Sequence, residues 1–120
     1  MAWFYFSQNN SGGSFSIDDA AGIGPEVWVE AEDVASANDR AETFGVYFDG
    51  CYDDTDCPCC GDRWSAVDEH DRDDCPVVYS KYAFDWHDTV YAHALDGTIH
   101  RLTADNLDAA PLTIDVRYDD

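Results

Sequence analysis

Glu26-Val27-Trp28-Val29-Glu30-Ala31, followed almost at once by the run from Asp33 to Gly45, is the stretch from which the fold is read. The first six residues alternate. Val27, Val29 and Ala31 fall on one side of a strand and Trp28 on the other, because successive strand side chains point to opposite faces. With a tryptophan opposite three aliphatic residues, both faces of this strand are expected to be covered. The period then changes. Val34, Ala37, Ala41 and Phe44 recur at helical spacing. Asp33 is a good N-cap acceptor for the first unpaired amides, and Gly45 supplies the C-terminal stop. A strand and an amphipathic helix over about 33–44 follow, with the helix acids and Arg40 facing solvent. Val46-Tyr47-Phe48 is expected to re-enter the sheet, giving the order strand, helix, strand.

Outward from this unit, residues 2–7 are rich in strand formers and predict a first strand. Phe15-Ser16-Ile17 predicts a short strand, and Asp18–Pro25 a turn-rich connection. Arg63–Val67 and Cys75–Tyr79 predict further strands, with the charged run Asp68–Asp74 an exposed loop between them. Thr89–Ala94 and Thr98–Thr103 flank Leu95-Asp96-Gly97, and an Asp-Gly between two strand-like runs is a strong hairpin signal. Leu112–Tyr118 alternates and closes the chain as a last strand, after a linker over Ala104–Pro111. The fold class expected is α+β: a small mixed or antiparallel sheet, one main helix, a cysteine-rich metal-knuckle loop and a C-terminal β-hairpin. A chain of 120 residues fits one domain over 1–120.

The formal charge of -20 excludes several functions. Such a surface repels nucleic acid and anionic lipid, and no apolar run has the length needed to span a membrane. The expectation is therefore no nucleic acid and no membrane partner. A solvated acidic exterior suits solubility or high salt; mimicry of a polyanion toward a basic groove is the sharper alternative.

Five cysteines cannot all pair within one chain. The N-terminal segment carries no basic region ahead of its apolar residues and reads as a strand rather than a secretion signal. A reducing compartment, where clustered cysteines favour metal over disulfides, is the expectation. Cys57-Pro58-Cys59-Cys60-Gly61 contains the Cys-Pro-x-Cys-Gly pattern of a zinc-ribbon knuckle. Two intervening residues let a tight turn aim Cys57 and Cys60 at one tetrahedral ion. Pro58 presets the backbone angle, and Gly61 permits a positive φ. The second ligand pair of a ribbon is missing, so the site is completed from Cys51, Cys75 and His70. Cys51 with Cys75 is preferred and His70 is the reserve. Four thiolates would leave no open position, which makes the zinc structural.

Other groupings compete with this one. The polar loop Gln8-Asn9-Asn10-Ser11-Gly12-Gly13-Ser14 has amides that could cradle an anion, which makes Asn9, Asn10, Ser11, Gly12 and Gly13 candidate ligand-binding residues. It matches no phosphate fingerprint, and no basic residue lies nearby in sequence. Asp49, Asp53, Asp54 and Asp56 offer oxygen ligands for calcium or magnesium without EF-hand spacing. Trp86-His87-Asp88 places His beside Asp, yet neighbours on a strand do not face each other. His93 and His100 are expected to meet across the hairpin as a polar pair. No catalytic triad or nucleotide-binding motif is present, so an enzyme is the minority reading.

Asn9-Asn10-Ser11-Gly12-Gly13-Ser14-Phe15, Phe48-Asp49-Gly50-Cys51 and Asp56-Cys57-Pro58-Cys59-Cys60-Gly61-Asp62-Arg63-Trp64 together resemble a family of small uncharacterised proteins of tailed bacteriophages. The resemblance covers about residues 3–67, with the helix between the motifs, and leaves 75–118 as a β-rich extension. It implies a viral accessory protein in the host cytoplasm and transfers no catalytic role. The leading expectation is thus a non-enzymatic, zinc-stabilised acidic protein that binds a host protein with a basic surface. The alternatives are a small-ligand or nucleotide binder using Asn9–Ser14, a virion structural component, and a metal-dependent hydrolase using Asp49, Asp53 and Asp56.

Overall fold

The computed structural model describes residues 2–9, 17–52, 61–78, 90–103 and 112–116. Strand β1 (Ala2–Ser7) pairs antiparallel with β2 (Glu26–Ala31), Ala2 opposite Ala31 and Ser7 opposite Glu26. Two residues, Arg72–Asp73 (β3), add to the free side of β1. A hairpin of β5 (Val90–His93) and β6 (Ile99–Leu102) joins the other side, β5 lying parallel to β2. The sheet is therefore mixed, in the order β3-β1-β2-β5-β6, and the hairpin completes it rather than standing apart. Between β3 and β5 comes β4 (Val77–Val78), which pairs in parallel with β7 (Asp115–Val116) as a separate two-stranded unit.

Alternation along β1 and β2 sorts the core into two clusters. Phe4, Phe6, Val27, Val29 and Ala31 face the helix α1 (Val34–Thr43) with Val46, Trp64 and Val67. Ala37 and Ala41 of α1 are fully buried, and their small side chains let the helix backbone approach the sheet. Trp3, Trp28, Val90, Ala92 and Leu102 point the other way, toward Val77, Leu112 and Ile114. Trp28 meets both its needs there: its ring stacks on Tyr5 (5.0 Å between centroids) and its indole N–H donates to the Val77 carbonyl at 3.1 Å. An apolar body with one buried donor is stable only when that donor is paired.

The predicted helix is present with its caps. The Asp33 side chain accepts from the Ser36 amide at 2.8 Å, and Gly45 takes φ +120 after the last turn. Arg40, expected in solvent, instead turns to the sheet. Its guanidinium donates to the Glu30 carbonyl and, at 2.9 Å, to the Ala94 carbonyl, bridging the ends of β2 and β5.

Four local expectations are corrected. Val46-Tyr47-Phe48 is not a strand: the Val46 amide donates to Ala41 at 3.1 Å to close the helix, and Phe48 stacks on Phe6. The parallel neighbour of β2 is β5 instead. Arg63–Val67 forms no strand either, because a side chain occupies the partner's place: the Asn38 amide group accepts from Val67 N–H at 2.9 Å and donates to Val67 C=O at 3.2 Å. The charged run 68–74 is ordered as a capped 3-10 turn, Glu69–Asp71, leading into β3. His93 pairs with Ile99 and His100 with Ala92, so the two histidines occupy opposite faces of the hairpin. Ile17 lies outside any strand, and Phe15-Ser16 falls outside the described residues. Among the described residues, no helix is long and apolar enough to cross a membrane.

Candidate functional site

The two sequence motifs meet at the end of β1. Asn9 continues β1 beyond Ser7, and its amide donates to the Arg63 carbonyl at 2.8 Å. Its side-chain amide reaches the Asp62 carbonyl at 3.3 Å. Asp62 in turn uses its carboxylate to accept the Cys51 amide at 2.9 Å, which ties together the two ends of the cysteine segment. Gly61 adopts φ +85, and a Cβ there would stand 3.2 Å from Asn9 Nδ2. The positive φ expected at this glycine is thus present, and close packing on Asn9 adds a second demand for glycine. Trp64, the last residue of the motif, is 1% exposed and anchors the seam in the core.

Arg63 places a cation beside Asn9, which proximity in sequence did not reveal. Its Nη1 donates to Gln8 Oε1 at 3.1 Å, while Gln8 Nε2 donates to the Gly24 carbonyl at 2.8 Å. Gln8 is buried, so this chain of bonds holds the guanidinium in one orientation. Arg63 lines a cleft of about 240 Å³ together with Tyr5, Asn9, Ser65 and Asp71. The Asp71 carboxylate is oriented by its own bond, Oδ2 accepting from the Asp68 amide at 3.0 Å.

The proposed zinc ligands are distributed as follows. Cys57 and Cys60 lie outside the described residues, as do Asn10, Ser11, Gly12, Gly13, Asp53, Asp54, Asp56 and the Trp86-His87-Asp88 triplet. Cys51 stands at the seam and is half-buried. Cys75, also half-buried, follows β3, whose Asp73 pairs with Trp3 near the start of β1. From Trp3 to Asn9 an extended chain covers about 20 Å at about 3.3 Å per residue. Cys51 is tied through Asp62 to the Asn9 end of β1, and Cys75 follows the strand that pairs near its start. His70 is turned outward, its side chain 95% exposed with Nδ1 3.3 Å from Asp68 Oδ1. Asp49 is exposed, at φ 57, and its carbonyl accepts from the Tyr52 amide in a turn. Among the described residues, no three His, Cys, Asp or Glu converge as a metal requires.

Residues 1–109 match the model of a family described as Domain of unknown function (DUF7296). The chain belongs to this family. No curated protein and no solved structure matches it. The DUF7296 match runs through the hairpin as well as the seam, so β5 and β6 lie within the matched residues.

A second group of polar residues in this DUF7296 chain lies at the hairpin. The buried Tyr91 hydroxyl donates to Asp19 Oδ1 at 2.5 Å. Burial, and then the Asp19 carboxylate, push its pKa up to about 12. The phenol in its protonated form is the donor to Asp19. Nearby, His93 is buried with its ring stacked on Phe44 at 3.8 Å. Its Nε2–H donates to the Gly22 carbonyl at 2.8 Å. Burial is the main cause that holds its pKa below 6.5; the Gly22 carbonyl opposes it, and the Arg40 charge adds to it. Both groups have protein partners, Asp19 for Tyr91 and Gly22 for His93.

Proposed function

We propose that the chain is a non-enzymatic accessory protein that binds a host protein with a basic surface, in the host cytoplasm, through its acidic exterior. The distribution of charge carries this reading. Asp18 and Asp19 before β2, Asp39 and Glu42 on α1, Asp68 and Glu69 at the 3-10 turn and Asp96 at the hairpin tip are all exposed. The basic residues, Arg40 and Arg63 among them, are too few to offset the outward field: the net charge of -20 already counts them. A field of one sign accelerates encounter with a basic partner and penalises nucleic acid. The resemblance of the Asn9–Phe15 and Asp56–Trp64 motifs to tailed-phage proteins suggests the host setting.

In this reading a structural zinc held by Cys57 and Cys60, with Cys51 and Cys75 as further ligands and His70 in reserve, fixes the cysteine loop. Affinity capture from bacterial lysate tests the binding role. Basic proteins should be retained at low salt and released as salt rises; an empty eluate, or one indifferent to salt, would overturn it. Native mass spectrometry on the reduced protein tests the metal, with one zinc expected and none in a Cys57→Ser/Cys60→Ser variant.

A further inference from the structure

The turn over 18–23 is closed on itself and lightly tied to the rest of the protein. Asp18 and Ile23 each donate to the other's carbonyl, at 3.0 and 2.9 Å, and the Ala21 and Gly22 amides donate to the Asp18 and Asp19 carbonyls at 3.2 and 3.3 Å. Beyond it the chain is fixed: Ile23 is buried in the core, and the Gly24 and Pro25 carbonyls accept from Gln8. Ahead of that anchor, among the described residues, two side chains of β5 hold 18–22 in place, Tyr91 through Asp19 and His93 through the Gly22 carbonyl. A cleft of about 350 Å³ lined by Asp19, Ala20, Tyr91, Ile99 and Arg101 lies between the turn and the hairpin, so contact between them is incomplete. An element held by so few bonds opens at lower cost than the sheet beneath it.

One of the two ties comes from a group badly placed to carry charge. His93 is 3% exposed, its ring is stacked on Phe44, and its Nε2–H already donates to Gly22. A proton added at Nδ1 becomes a second buried donor, and among the described residues that nitrogen has no hydrogen-bond partner and the ring no carboxylate partner. The surrounding charges do not compensate. Arg40 of α1, itself a cation, opposes charge on the ring. Asp18 Oδ1 accepts from the Ala21 amide at 3.2 Å, Asp19 Oδ1 accepts from Tyr91, and the Glu30 carboxylate of β2 accepts from the Leu95 amide at 2.9 Å. On β6, Arg101 adds another cation beside Tyr91, and His100 lies on the opposite face. Of the two elements against the ring, Phe44 caps the helix packed on the core, whereas Gly22 belongs to the lightly held turn. The turn is the side that yields.

We infer that the turn over 18–22 is an acid-released flap on the hairpin: protonation of the His93 ring drives it off β5 and uncovers Tyr91, His93 and Ile99 while the sheet stays folded. Release does not depend on the protein-binding role, so either can fail alone.

The direction follows from linkage. In the closed form burial holds the His93 pKa below 6.5, and in the open form the ring regains water and returns toward 6.5. Between these values each unit of pH lowered raises the open-to-closed ratio by up to about tenfold, and above 6.5 the ratio is flat.

The test is 15N relaxation-dispersion and saturation-transfer NMR on the full-length protein from about pH 7.5 to about pH 5.5. The minor-state population is read at the amides of Asp19, Ala20 and Gly22, with Phe4 and Val29 of the central strands as controls. Below 6.5 the population at the turn should rise by up to about tenfold per pH unit, with the controls unchanged. His93→Gln keeps an N–H for the Gly22 carbonyl but takes up no proton, so the rise should vanish. Tyr91→Phe removes the other tie and should raise the open population at every pH with the same slope. A population at the turn that is flat in pH, a slope that persists in His93→Gln, a slope lost in Tyr91→Phe, or exchange at Phe4 and Val29 that tracks the turn would each overturn the flap.

Discussion

Arg40 on the helix donates to the carbonyl of Ala94, 54 residues away at the end of β5, with Nη2 to O at 2.9 Å. The same guanidinium serves Glu30 at the end of β2. β2 and β5 are parallel neighbours that no short turn can join, and this one side chain clasps their ends together. Arg40→Met keeps the apolar stem but leaves two carbonyls without their charged donor. At about 1.5–3 kcal/mol for a charge-assisted bond, a loss of about 2–4 kcal/mol is expected in urea unfolding, with the m-value unchanged. Arg40→Lys presents a point charge instead of a fork and should fall between the two.

Gly22 is required for two reasons at once. It sits at φ +73, and a Cβ there would stand 2.8 Å from both the His93 ring and Ile99 Cγ2. The ring cannot swing away, because it is buried against Phe44 and bonded to the Gly22 carbonyl. Gly22→Ala should therefore destabilise by about 2–4 kcal/mol, from left-handed strain and overpacking together. Thermal unfolding measures this. A neutral result would mean that the turn over 19–22 can move off the hairpin without penalty.

His93 predicts a pH dependence with a definite sign. Its folded pKa lies below its ordinary 6.5, chiefly through burial. Between the folded value and 6.5 the unfolded chain binds a proton that the native chain does not, so stability falls as pH drops through this window. Above 6.5 its contribution is complete. Comparison with His93→Gln isolates the histidine from the carboxylates, Glu26 among them, whose pKa burial raises: the gap between the two proteins should narrow as pH is lowered from 7.5 toward 5. In Arg40→Met, where one cause of the depression is gone, the His93 Cε1 proton should titrate at higher pH.

The elements legible in sequence were those whose signal is local. Alternation in 26–31, the Asp33 cap with Gly45, and Asp96-Gly97 between two strand-like runs each state a conformation within a few residues. What escaped depends on partners far along the chain. Arg72–Asp73 has no apolar alternation and is a strand only because β1 offers a free edge. Val67 looks like a strand residue, but its backbone groups are taken by Asn38. Val46-Tyr47-Phe48 has strand-forming residues, and packing across the helix face overrides that propensity. The site divides the same way. The Asn9 loop and the cysteine knuckle were conspicuous as compositions, whereas the Gln8–Arg63 bond spans 55 residues and left no trace in either motif. Asp62-Arg63-Trp64 carried the one available hint, since a charged pair attached to a core tryptophan is held in place by it.

Salt should stabilise this protein. The chain carries -20, and the acids of α1, the 3-10 turn and the hairpin tip are exposed. Surface pairing of the kind Arg72 makes with Glu69, 3.6 Å apart with both side chains half exposed or more, contributes little against their repulsion. Folding brings like charges closer than they are in the unfolded chain, a repulsion that screening weakens once the Debye length falls to about 10 Å at 0.1 M salt. The melting temperature should rise steadily from low salt to about 0.5 M sodium chloride, and sodium sulfate should raise it further because exclusion of sulfate adds to screening. The same screening should weaken capture of a basic partner, so stability and binding are expected to move in opposite directions with salt. A melting temperature that falls as chloride is added would mean that attractive pairs outweigh repulsion in the native state, and the acidic exterior would then be explained by internal compensation rather than by a partner.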